Sequence, residues 1–148
     1  MSSGYVFTSK SQLQKAVDLW CSDEAYATAT YGYINNWDVS AIKNFSNLFK
    51  DKENFNSNIS NWDVSNGTKF KAMFIHNEVF NQNIGGWDVS NGKNFSEMFM
   101  DADAFNQNIG GWDVGKGKDF SSMFEGNQNF NKNISNWNVS NGTNFLDM

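Results

Sequence analysis

Residues 80–99 read FNQNIGGWDVSNGKNFSEMF, and this pattern returns on either side of that stretch every 25 residues. Trp37, Trp62, Trp87, Trp112 and Trp137 mark the period. Ile34, Ile59, Ile84, Ile109 and Ile134 stand three residues before each Trp, and Val39, Val64, Val89, Val114 and Val139 two after. Phe45, Phe70, Phe95, Phe120 and Phe145 follow at plus eight, and Leu48, Met73, Met98, Met123 and Met148 at plus eleven. Two further Phe columns fall at plus twelve (Phe49, Phe74, Phe99, Phe124) and plus eighteen (Phe55, Phe80, Phe105, Phe130). A period of roughly 20–50 residues held at so many positions marks a repeat array, in which each unit buries its apolar face against the next.

The unit itself can be read from side-chain spacing. In Trp62-Asp63-Val64 the apolar residues alternate, which predicts a short strand with Trp and Val inward and Asp outward. In Phe70-Lys71-Ala72-Met73-Phe74 they recur at i, i+3 and i+4, which predicts a helical turn. Ser65-Asn66-Gly67-Thr68 reads as the turn between them, and Phe80-Asn81-Gln82-Asn83-Ile84 as the return leg. Stacked strands would lie ~4.8 Å apart as a parallel sheet. The expected fold is therefore an α/β solenoid with short parallel strands and short helical turns. Paired Asn residues of the return leg (Asn56/Asn58, Asn81/Asn83, Asn106/Asn108, Asn131/Asn133) are expected to bond along the stack and satisfy backbone groups.

Residues 1–33 break the period and read as an N-terminal helical cap, leaving 34–148 as about four and a half units. Ser9-Lys10-Ser11-Gln12 has capping-box spacing, and Leu13, Ala16, Val17 and Trp20 share one helical face. Asp23-Glu24-Ala25 would open a second helical piece. Such a cap covers the open edge of the first unit. Met148 falls inside the fifth unit, which predicts that the natural protein continues or that another molecule covers that end.

Composition narrows the function classes. Fourteen Phe and six Trp supply enough buriable surface to argue against disorder, and the twenty-four Asn point to turns and amide ladders. Net charge is −5, and eleven basic residues dispersed along the chain predict no nucleic-acid partner. No apolar run approaches the ~18 residues of a transmembrane segment. MSSGYVFTSK carries no signal-peptide core. Cys21 is the single cysteine and is read as a small buried hydrophobe; His76 is also single, so a His/Cys metal site is not expected.

Ile-x-x-Trp-x-Val matches the L-x-x-L-x-L core of a leucine-rich repeat with an aromatic substitution. Units such as FNQNIGGWDVSNGKNFSEMF and FNKNISNWNVSNGTNF resemble the BspA-like leucine-rich-repeat surface proteins. A repeat of the form FNQDISNWDVSNVTNMSxMF also fills a domain of unknown function common in mycoplasma lipoproteins. The likeness runs from about Tyr33 to Met148, and FTSKSQLQKAVDLWCSDEA is similar to the lead-in of some members. It implies a right-handed coil of leucine-rich-repeat type in an extracellular or cell-surface protein with adhesive or binding roles, and no catalytic residues. Two departures stand out. Gly67, Gly92, Gly117 and Gly142 occupy positions where the family usually has Val, and Phe95 and its equivalents where it often has Met. Asn66, Asn91 and Asn141 come one residue before the usual buried Asn.

By that logic the outward strand residues form a column of Asp38, Asp63, Asp88, Asp113 and Asn138, flanked by Ser40, Ser65, Ser90 and Ser140. Like charges ~5 Å apart repel by roughly 1 kcal/mol even in bulk water, so something must compensate. One reading has each Asp accept turn N–H groups or pair with Lys43, Lys69, Lys93 or Lys118. The other makes Asp38, Asp63, Asp88 and Asp113 a calcium ladder, or a face for a cationic or polyhydroxyl partner. Asn-x-Ser/Thr matches such as Asn58 and Asn133 are by-products of the repeat, and Glu53, Glu78 and Asp103 read as solvated loop residues. A repeated column with no pocket-forming departure argues against acid–base catalysis. The sequence thus predicts a non-catalytic binding or adhesion module for a protein or glycan. The alternative is a building block that self-associates through its open C-terminal coil; ice or mineral binding ranks below both.

Overall fold

The computed structural model describes residues 4–148, so residues 1–3 of the expected cap lie outside the described residues. Helix α1 spans Lys10–Ser22 and begins where Ser9 Oγ accepts the Gln12 N–H. Gln12 Oε1 turns back to take the N–H and hydroxyl of Thr8, one residue earlier than a reciprocal capping box would place it. Asp23 closes α1 with its N–H on the Leu19 carbonyl, and its carboxylate then opens α2 (Glu24–Tyr31) by accepting the Tyr26 N–H. Leu13, Ala16, Val17 and Trp20 of α1 are buried with Ala27 of α2. A 3-10 turn, Ile34–Asn36, leads into the first repeat unit.

From there the solenoid expectation fails. Among the described residues no β-strand and no sheet forms, and no α-helix follows Tyr31. Among the described residues the only β-type pairing between repeat units is one isolated parallel bridge per junction, Asn44 to Lys69, Lys69 to Asn94, Asn94 to Asp119 and Asp119 to Asn144. The α/β coil of leucine-rich-repeat type with parallel strands is therefore corrected to a turn-rich array.

The physical reason is where the backbone N–H groups go. At the Trp-Asp-Val segment, Asp63 Oδ1 takes the Ser65 N–H and the Val64 carbonyl takes the Gly67 N–H, so those donors close turns. Period-two burial is present, with Trp62 and Val64 inward, but no ladder accompanies it. In the expected helical turn, the N–H groups of Phe45, Asn47, Phe49 and Asp51 donate to the carbonyls of Lys69, Lys71, Met73 and Ile75 in the following unit. A helix would need its donors for its own i−4 carbonyls. Here alternate donors leave the unit, and the backbone turns through positive φ at Asn47 (61°) and Asp51 (59°), as at Ala72, His76, Glu97 and Asp101.

Those outgoing donors all point toward the following unit, so the equivalent carbonyls of the first unit have no donor from a preceding one. Helix α1 supplies donors to two of these four, Ser46 and Leu48. Lys10 Nζ donates to the Ser46 carbonyl and Gln14 Nε2 to the Leu48 carbonyl, two side chains four residues apart on one helix face. Burial in this position lowers the Lys10 pKa.

The interior is a set of stacked rings. Phe45, Phe70, Phe95, Phe120 and Phe145 stack at 5.4–5.5 Å, nearly parallel. Phe74 lies 5.3 Å from Phe49 and 5.6 Å from Phe99, while Phe55 to Phe80 is 5.8 Å. From the second unit on, each indole N–H reaches back one unit: Trp62 to the Ile34 carbonyl, Trp87 to Ile59, Trp112 to Ile84 and Trp137 to Ile109. The Asn residues complete the accounting of backbone groups. Asn81, Asn106 and Asn131 give their N–H to Asn56, Asn81 and Asn106 Oδ1, while Asn58, Asn83, Asn108 and Asn133 accept N–H groups within their own units. Asn66, Asn91 and Asn141 bond to the Ser40, Ser65 and Gly115 carbonyls of the preceding unit.

Candidate binding face

The Asp column lies along one edge of the array. Asp63, Asp88, Asp113 and Asn138 are exposed, and Asp38 is half-buried beside the N-terminal segment. Each carboxylate or amide Oδ1 accepts the N–H two residues on, from Ser40, Ser65, Ser90, Gly115 and Ser140. The Ser40 and Ser65 hydroxyls add bonds of 2.6 Å. Two donors on one oxygen stabilise the charged form. The Ser40 hydroxyl and N–H hold the Asp38 carboxyl below its usual range, and those of Ser90 do the same for Asp88.

No lysine among the described residues forms an ion pair with the column, although Lys116 makes a smaller coulombic contribution to holding the Asp88 carboxyl down. The ion pairs among the described residues are Lys52 with Asp18, Lys71 with Glu97, and His76 with Asp51 and Asp101. Lys43, Lys69, Lys93 and Lys118 thus form no ion pair with the Asp column. No group of three or more His, Cys, Asp or Glu side chains among the described residues is arranged to hold a metal ion.

At the N-terminal end the column opens into a shallow groove of about 390 Å³. Asn36, Asp38, Ser40, Asn61 and Asp63 line it, with Gly4 of the N-terminal segment on one side. Backbone pairing places that segment: the Phe7 N–H donates to the Asp38 carbonyl, and the Asp38 N–H to the Tyr5 carbonyl. This groove departs from strict repetition, and the sequence offered no signal for it, because residues 4–7 lie outside the periodic pattern.

A second concavity of about 360 Å³ separates α1 from the first unit, lined by Asp18, Trp20, Cys21, Lys52 and Ser57 among others. Trp20 Nε1 donates to Ser57 Oγ across it, and Lys52 reaches Asp18 at 2.9 Å. Cys21 is exposed here, not the buried core residue expected from its type. Partial desolvation at the cleft wall nevertheless pushes its thiol up to about 11. Thiolate is the reactive species, so Cys21 in the folded chain is expected to react with iodoacetamide at pH 8 more slowly than free cysteine, accelerating as pH rises toward 11. Alkylation at the free-cysteine rate would contradict this.

His76 bridges Asp51 (Nδ1 to Oδ1, 2.6 Å) and Asp101 (Nε2 to Oδ2, 3.7 Å) in the units on either side. The three residues stand at equivalent positions of successive units, where His76 replaces the Asp found at 51 and 101. Glu53 and Glu78 are exposed and Asp103 half-buried at their own turns.

A family model described as "Mycoplasma protein of unknown function, DUF285" matches residues 20–124 and again 96–148. The chain belongs to this family. The two matches together take in the end of α1, α2 and all of the repeat units. No curated protein and no solved structure matches the chain. No helix among the described residues of this DUF285 chain is long and apolar enough to cross a membrane.

Proposed function

We propose that the chain is a non-catalytic binding module, displayed at a cell surface, that holds a protein or glycan partner along its Asp edge. Kinship with the BspA-like surface proteins, suggested by the W-D-V-S and M-F elements of the repeat, belongs to the same reading. The observation that carries it is the groove joining Asn36, Asp38, Ser40, Asn61 and Asp63, continued by exposed Asp88 and Asp113. Local hydrogen bonds already fix these carboxylates, so little side-chain freedom is lost when a partner binds. Acceptors of this kind suit hydroxyl-rich or amino-bearing groups.

The triple variant Asp38→Asn, Asp63→Asn, Asp88→Asn keeps each Oδ1 as a turn acceptor while removing the charge. On a panel of neutral and amino-sugar glycans and cell-surface proteins, its capture of a partner held by the native chain is expected to fall about tenfold or more. The panel is run with calcium and with chelator. Capture unchanged in the variant, or no capture at all, overturns the reading. Concentration-dependent growth in light scattering without capture would favour self-association instead.

A further inference from the structure

The eleven basic residues of this chain, all lysines, are dispersed in sequence, but six of them fall on equivalent legs of successive units. Residues 41–47, 66–72, 91–97, 116–122 and 141–147 are the legs that carry the inter-unit bridges. They hold Lys43, Lys69, Lys71, Lys93, Lys116 and Lys118 against the carboxylates of Glu97, Asp119 and Asp147. The remaining residues hold five lysines against thirteen carboxylates. A face of net positive charge thus runs along a chain whose net charge is −5.

Its geometry is regular. Under these legs the Phe45 to Phe145 rings repeat at 5.4–5.5 Å, which sets the spacing from unit to unit. Lys43, Lys69, Lys93 and Lys118 fall one to a unit in two adjacent columns, all exposed, and none has a carboxylate within ion-pair distance among the described residues. Bridge hydrogen bonds to the carbonyls of all four fix their backbone positions. Of the acidic groups on this face, Asp119 is already engaged by the Ser121 hydroxyl and N–H, and Glu97 lies 3.8 Å from Lys71. The result is an unneutralised row of cations at short, even intervals, whose mutual repulsion a polyanion would relieve.

We propose that this lysine face docks a linear acidic polysaccharide, with sulfate or carboxylate groups repeating along the chain. This rests on the reading of the chain as a binding module but assigns a different face and ligand chemistry from the Asp edge. Charge complementarity favours a polyanion, and the remaining surface favours a polysaccharide. Between residues 34 and 144 no Phe, Tyr or Trp side chain is exposed, and Phe145 is exposed only on the last leg, so no row of rings is offered for stacking successive bases. Arginine is absent, so there are no bidentate forks for phosphate or guanine. The exposed large apolar side chains of these legs, Phe145 and Leu146, are confined to the last one, so no apolar band runs beside the lysine row to anchor it in a lipid surface.

The test measures binding of the chain to heparin, hyaluronate, neutral dextran, oligothymidylate and phosphatidylserine vesicles over a range of salt. Heparin or hyaluronate is expected to bind at low salt, with affinity falling steeply as salt rises, and dextran not to bind to this face. The variant K69Q/K93Q/K118Q is expected to lose about tenfold or more, while K15Q/K132Q on other surfaces stays within about twofold. Circular dichroism and the melting temperature confirm that both variants fold. No affinity for either acidic polysaccharide, equal losses in the two variants, or tighter binding of oligothymidylate or vesicles would each overturn the proposal. Capture of neutral or amino-sugar glycans through the Asp edge, alongside failure on heparin and hyaluronate, removes the lysine face alone and leaves the module reading standing.

Discussion

Trp87→Ala is expected to destabilise the fold by about 3–5 kcal/mol, read as a fall in the urea midpoint at constant slope. The indole is 4% exposed, its ring lies 6.3 Å from Phe74, and its Nε1 donates at 3.1 Å to the Ile59 carbonyl of the preceding unit. Alanine removes the ring, leaves a cavity between two units and takes away that donor. Trp87→Phe separates these contributions, because it keeps much of the apolar volume and loses only the N–H. The Ile59 carbonyl still accepts the Trp62 N–H, so this variant is expected to cost only about 1–2 kcal/mol. In a repeat array an interior residue serves two interfaces and a terminal one serves one. Trp137, which is 9% exposed and the last Trp of its column, should therefore cost less than Trp87 on the same substitution. Equal costs at the two positions would show that the stack is not held together unit by unit.

Gly92→Val is expected to cost about 3 kcal/mol, and adding Phe95→Met should recover most of it. A Cβ at Gly92 would sit 2.3 Å from Phe95 Cζ, 3.0 Å from its Cε2 and 2.9 Å from the Val89 carbonyl. The Phe ring fills the space a side chain at this position would need. The same holds for Gly67 with Phe70, Gly117 with Phe120 and Gly142 with Phe145. The repeat FNQDISNWDVSNVTNMSxMF, which this chain resembles, carries Val and Met at the two positions. What read in the sequence as two separate departures is then one exchange of volume between neighbouring side chains. A double-mutant cycle with no coupling between positions 92 and 95 would refute this. Some loss should remain in the double variant, because the contact with the Val89 carbonyl does not depend on Phe95.

The inward positions were legible from spacing alone. The Trp, Ile, Val and first two Phe columns are buried through the central units, because a side chain repeated every 25 residues meets its own copy in the next unit. The structural role of the return-leg Asn residues was legible for a similar reason, since amides at equivalent positions come within hydrogen-bonding distance. Backbone conformation was not. Alternation at Trp-Asp-Val and the i, i+3, i+4 pattern at Phe-x-x-Met-Phe report which side chains face inward, and several backbones satisfy each pattern. The Asp column is exposed along one edge at Asp63, Asp88, Asp113 and Asn138 and half-buried at Asp38; its oxygens accept serine and backbone donors two residues on, and the lysines five or six residues away form no ion pair with it.

By itself, then, the sequence determined the period, the inward columns and the residue types of each edge, because these depend only on repetition and polarity. Tertiary structure alone decided the destination of each N–H. Donors sent to the next unit dissolve the expected strands and helical turns into turns and single bridges. The same directionality explains why Lys10 and Gln14 of α1 must reach the first unit's carbonyls. Stacking decided the charged faces as well: lysines dispersed along the chain line up only when units 25 residues apart stack with their Phe rings about 5.5 Å apart.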